Sequence, residues 1–169
     1  GVVSNILKYV SVRSFAPMLH SLMVTLHLVA AVIWVGGMFF AYMIVRPAVA
    51  ALEPPEPARF WGRIFTKFFT WVWIAIFVLL TTGYQMLVVE YGGIGAAPVY
   101  LHAMQLLGLV MIALFMHLYF APWRRMKFAL KNSDYPEAAK QIPQIRRIVA
   151  INLSLGIANV IIGAGGRYF

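Results

Sequence analysis

The chain has 169 residues, 62% of them hydrophobic and only 11% charged, with a mean hydropathy of +0.81. An ordinary soluble domain carries about a quarter charged residues, so a soluble fold is excluded and the composition demands an integral membrane protein. The chain contains no cysteine, which excludes disulfides, thiolate metal sites, iron–sulfur clusters and covalent c-type haem attachment.

The first 15 residues mix Lys8 and Arg13 with apolar side chains, suiting a short interfacial helix. No short apolar run there ends in a small-residue cleavage site, so no cleavable signal peptide is expected. Span one is predicted over residues 17–45 and ends at Arg46-Pro47, before a stiff loop, Glu53-Pro54-Pro55-Glu56-Pro57. Arg59, Arg63 and Lys67 lead into span two, residues 68–89. A cation-free, glycine-rich loop of residues 91–98 follows. Span three covers 99–121 and is closed by Pro122 and the basic run Arg124, Arg125, Lys127. A polar segment, helical in part and broken at Pro136 and Pro143, leads to span four at 148–166. The expected architecture is all-α: an integral membrane four-helix bundle, one domain over residues 1–169.

The net charge of +9 raises the question of a nucleic-acid partner, but the distribution answers it. Eleven of the fourteen Lys/Arg fall between Arg46 and Lys67 or between Arg124 and Arg147, and none between spans two and three. This is the positive-inside pattern, which orients spans and needs no polyanion. It places both basic connections in the cytoplasm and both termini on the outer, periplasmic side of a bacterial inner membrane. Trp61, Trp71, Trp73, Tyr91, Tyr100, Tyr119, Trp123 and Tyr168 fall near span ends, as interfacial anchors do.

Ionisable groups inside spans are rare and default to a functional reading. His27 lies 19 residues before Arg46, and His102 lies 22 before Arg124. At 1.5 Å per residue both sit roughly 30 Å from the same membrane face, within about 5 Å of each other in depth. Two neutral imidazoles from separate helices suit a six-coordinate b-type haem iron. His20, one heptad before His27, is a secondary candidate. His117, about 20 Å deeper than His102, is another, with hydrogen bonding across helices as its alternative. Gly83, Gly108 and Gly163 fall near the ligand depth and suit either clearance for a porphyrin or ordinary close helix contact. Arg167, at the outer end of span four, and more weakly Arg13, suit haem propionates or simple interfacial anchoring. The glycines Gly36, Gly37 and 156–166 suit a symmetric homodimer. Met38, Met43, Met86, Met104, Met111 and Met116 invite copper(I) but are scattered over three helices, as gap-filling methionines are.

Leu26-His27 through Trp34, Gly36, Gly37 and Phe40 resembles the first-span signature of the CopD-like family, named for copper resistance protein D. The resemblance extends to Arg46-Pro47, to Tyr100-Leu101-His102, to Phe120-Ala121-Pro122-Trp123-Arg124-Arg125 and to the closing Gly163 to Tyr168. More distantly, span one is similar to that of the HemJ-type protoporphyrinogen oxidases, and that similarity implies a haem-ligand role for His27. HemJ carries a lysine in span three, where this chain has His102 and Gln105.

The expected function is that of a b-type haem membrane protein moving electrons between a quinol or other donor and an outer-face acceptor. Copper uptake or tolerance is one alternative. A haem-dependent porphyrinogen oxidase is another, although no carboxylate stands inside any predicted span to serve it as a base. A passive subunit that only holds partners together is the fourth.

Overall fold

The computed structural model describes the backbone of residues 2–168 and the side chains of residues 17–166 and 168. The structure there is helical, with no strand among the described residues. Four helices are long and apolar enough to cross a membrane: α1 (Pro17–Val49), α2 (Glu56–Tyr91), α3 (Val99–Lys131) and α4 (Tyr135–Gly165). The helical path of α1 begins upstream, at Val2.

All four helices outrun the spans read from hydropathy, and in α2, α3 and α4 it is polar helical turns that continue the helix beyond the apolar stretch. α2 begins at Glu56 rather than 68, and α3 ends at Lys131 rather than 121. α4 is one helix from Tyr135, where a segment broken by two prolines is expected from sequence. Pro136 occupies the first turn, where the missing N–H has no partner to lose. Pro143 lies inside the helix and deletes one rung of its ladder without ending it. The Asp134 carboxylate caps the start, accepting from the Glu137 backbone N–H at 3.1 Å.

Arg46-Pro47 likewise fails to end α1, which runs on to Val49. A π-helical turn over Phe40–Val45 precedes Pro47, and another over Tyr119–Trp123 contains Pro122. Such a turn loosens the i→i−4 ladder at the point where the proline ring would collide with it. A third π turn, Val32–Gly36, carries Trp34. α2 ends at Gly92, whose φ of +70° suits glycine. The N–H groups of Gly92 and Gly93 there cap the last carbonyls, of Val88 and Leu87, at 3.0 and 3.2 Å.

The helices pack antiparallel in sequence, α1 on α2 and α3 on α4, with α2 and α4 also in contact. The end of the bundle bearing Arg46, Arg59, Arg124 and Arg147 is here called the basic end. Its core is aromatic. Spacings of about four residues on α2 bury Trp61, Phe65, Phe69 and Val72 on one stripe. Phe65 stacks on Trp61 and Phe69 at 5.0 and 5.1 Å, and edge contacts link Phe69 to Phe115 and Trp123 at 5.6 and 5.5 Å. Trp61 and Trp123 are therefore core residues, not interfacial anchors, because their spacing faces them inward. Trp71 and Tyr168, by contrast, are exposed.

The outward surface is largely apolar: Leu28, Val32, Phe77, Val99 and Ile161 are more than half exposed. Lipid, unlike water, exacts no penalty for that exposure. At the basic end the Arg125 guanidinium donates to Gln141 and Gln144, each at 3.0 Å, and ties α3 to α4.

Candidate functional site

Polar side chains between helices concentrate in the half of the bundle away from the basic end. The His20 Nδ1 faces the Glu90 carboxylate at 2.9 Å, joining α1 to α2. Two turns deeper, the His27 Nδ1 meets the Thr82 hydroxyl at 2.8 Å. Gln105 on α3 donates its Nε2–H to the Tyr84 hydroxyl on α2 at 2.7 Å. The His102 Nδ1 faces the carbonyl of Pro98, one turn back on its own helix, at 3.2 Å. His27 is half-buried and His102 exposed.

These contacts orient the rings. The Thr82 hydroxyl lies 2.7 Å from the Val78 carbonyl; while its single proton goes there, it accepts from His27, whose Nδ1 then carries the proton and whose Nε2 keeps the lone pair. A carbonyl oxygen also only accepts, which assigns His102 the same tautomer. His20 follows the same rule wherever Glu90 is ionised. Holding Nδ1–H on a protein oxygen while offering Nε2 is the arrangement that metal-ligating histidines commonly share.

The same contacts give a depth scale. His27 stands level with Thr82 and Gly83, and Tyr84 with Gln105. Counting along the helices at 1.5 Å per residue puts His102 about 6 Å nearer the non-basic end than His27, and about 4 Å deeper than His20. His117 lies on the exposed side of α3, in the aromatic half.

The candidate glycines are each occupied by a neighbour. A Cβ on Gly83 would stand 3.2 Å from the His27 Cε1, so this glycine makes room for the imidazole itself. Gly163 makes room for Met104, with Cε at 2.8 Å, and Gly108 approaches the Asn159 amide at 3.9 Å. Gly37 and Gly156 also serve contacts within one chain: Gly37 faces Phe68, and Gly156 faces Val35 and Met111. Gly36 alone of these has open space beside it. The side chains of Arg167 and Arg13 lie outside the described residues. Among the described residues no group of three or more His, Cys, Asp or Glu converges as a metal cage.

Sequence reasoning did not find Thr82, Tyr84 or Glu90 as partners. Thr82 is buried, and threonine in a span usually bonds its own helix, so nothing in the linear pattern marks it. Two buried amide oxygens, Asn152 Oδ1 and Asn159 Oδ1, have no hydrogen-bond partner among the described residues. The Asn152 amide nitrogen does donate, to the Met111 carbonyl at 3.1 Å.

The family model described as Copper resistance protein D matches residues 62–165. The chain belongs to the copper resistance protein D family. The matched region takes in all of α3 and α4 and most of α2, with His102, Gly83, Gly108 and Gly163; His27 in α1 lies before it. No curated protein and no solved structure matches the chain. Together with the four apolar helices, the family match makes this CopD-family chain a multi-pass membrane protein in contact with the lipid bilayer.

Proposed function

We propose that this CopD-family chain is a b-type haem membrane protein in which His27 and His102 would hold the haem iron through their Nε2 atoms. The observation that carries the reading is a shared orientation: both imidazoles turn Nδ1 to a protein oxygen and leave Nε2 as the other ring nitrogen. Two neutral imidazoles from separate helices are a donor set that a six-coordinate haem takes, and the two stand about 6 Å apart in depth. Haem b supplies a one-electron couple. The protein's own part is to hold the His27 ring between Thr82 and Gly83 and to pack the basic half with aromatic side chains. Electrons would enter from a membrane quinol or a comparable donor and leave to an acceptor at the non-basic face. The reading includes a bacterial inner membrane with the basic end in the cytoplasm, Arg167 as a propionate partner, and a homodimer.

Copper handling is the second reading, favoured by the family itself. Copper(I) would be cargo here, and soft or borderline neutral donors suit it. His20, His102 and His27 descend through the non-basic half in steps of roughly 4–6 Å, each with Nδ1 engaged, and the Met104 thioether lies one turn beyond Gly108.

An absorption spectrum with pyridine haemochrome and metal analysis of the purified protein separates the two. Sharp reduced α and β bands, with about one iron and no copper per chain, support haem. A colourless preparation that binds copper(I) with His27 and His102 intact, and loses it without them, supports the cargo reading and refutes haem.

A further inference from the structure

At the basic end a cleft of about 640 Å³ opens between α1, the start of α2 and the first half of α4. It is well separated from His20, His27 and His102, which occupy the opposite half. Its walls are apolar, with Phe65, Trp61 and Ile145 among them. Two cations line it, Arg46 from α1 and Arg146 from α4. The Arg46 guanidinium lies over the Tyr42 ring, 4.9 Å from its centroid, which holds it in one orientation. Neither arginine takes part in the ion pairs found among the described residues, which join His20 to Glu90, Arg59 to Glu56 and Lys140 to Glu137.

We propose that this cleft is a binding site for one anionic glycerophospholipid of the leaflet at the basic end. Its phosphate sits against Arg46 and Arg146, and an acyl chain lies along the Trp61–Phe65 wall. Charge complementarity selects the occupant. Guanidinium matches phosphate geometry through paired N–H donors, and the leaflet beside a Lys/Arg-rich membrane face is the one rich in anionic lipid. Volume agrees, since sites for small ligands run from roughly 300 to 1,000 Å³. A water-soluble anion would leave the apolar wall wet, and a neutral lipid would leave two arginines without a counter-charge. The site is independent of the metal reading above.

Native mass spectrometry tests this on the full-length protein in mild detergent, with added phosphatidylglycerol or phosphatidylcholine of identical acyl chains. The wild type is expected to retain phosphatidylglycerol at least tenfold over phosphatidylcholine. R46Q/R146Q is expected to lose that preference, while the charge-matched surface control R124Q/K127Q keeps it. Should the glutamine variant not fold, R46K/R146K retains charge without the paired-donor geometry, and a preference reduced several-fold is expected. Equal retention of the two lipids by the wild type overturns the proposal. So does an equal loss in R124Q/K127Q, which would reduce it to generic surface charge. Full displacement of the lipid by millimolar glycerol 3-phosphate would make the site one for a free phosphate ester, and a disulfide between two copies of R46C would make the occupant a second chain. Either also overturns it.

Discussion

His27 on α1 and Thr82 on α2 share a 2.8 Å hydrogen bond, while the same threonine hydroxyl donates to the Val78 carbonyl of its own helix at 2.7 Å. A hydroxyl that commonly folds back on its own helix thereby also orients the imidazole of a neighbouring one. Thr82→Val should keep the shape and lose the acceptor, lowering metal-centre affinity by roughly 10- to 100-fold. Thr82→Ser should restore it. Titration of the depleted protein with haem, or with copper(I), reads the difference; equal affinity in Val and wild type would detach Thr82 from the site.

On the haem reading, His27→Ala and His102→Ala should each abolish the low-spin signal, and His117→Ala, on the outer side of the aromatic half, should leave the spectrum intact. His20→Ala should perturb it less than His27→Ala, because the Glu90 pair holds His20 about 10 Å nearer the end of the bundle. Electron paramagnetic resonance of the oxidised protein reports the ligands directly. A low-spin signal that survives loss of His102 but not of His117 would reverse the assignment.

Gly36 and Gly37 are adjacent yet should behave differently. A Cβ at Gly37 collides with Phe68, so Gly37→Leu overpacks the α1/α2 contact and should destabilise the protomer by about 1–3 kcal/mol. Gly36 has open space on its exposed side, so Gly36→Leu should leave the melting temperature near that of the wild type. Any effect of Gly36→Leu should fall on self-association, measured by native mass spectrometry. A homodimer built through this face weakens in Gly36→Leu and persists in a still-folded Gly37→Ala.

Asn152 is almost wholly buried, with one hydrogen bond and one orphaned oxygen. Asn152→Leu removes both, so the lost bond, about 1 kcal/mol, is largely offset by relief of the unsatisfied acceptor. Asn152→Asp puts a charge or an extra proton in the same place and should destabilise by about 3 kcal/mol or more. Thermal unfolding in detergent checks the order, with the aspartate variant well below the leucine one.

The four spans, their apolar outer faces and the segregation of cations were all legible in the sequence, because bilayer thickness and charge bias act on the linear pattern. The helix ends were not. Hydropathy marks where lipid stops and says nothing of a helix that continues into water, as α2 does from Glu56. Prolines misled at 47, 122 and 143 because π turns and a helix interior absorbed what a turn was expected to mark. The histidines stood out by rarity alone. Their partners did not, since the pairing of Thr82 with His27 spans 55 residues and depends on a rotation of two helices that no periodicity fixes.

The π turn at Val32–Gly36 holds more chain per turn than the α-helix on either side of it. It is therefore slack: deleting one residue there would let the stretch close as regular α-helix, with the segments on either side keeping close to their present faces. A single-codon deletion in regular α-helix would instead turn everything beyond it by about 100°. His27 against Thr82 and Arg46 in its cleft should thus both outlast the loss of one residue at the π turn.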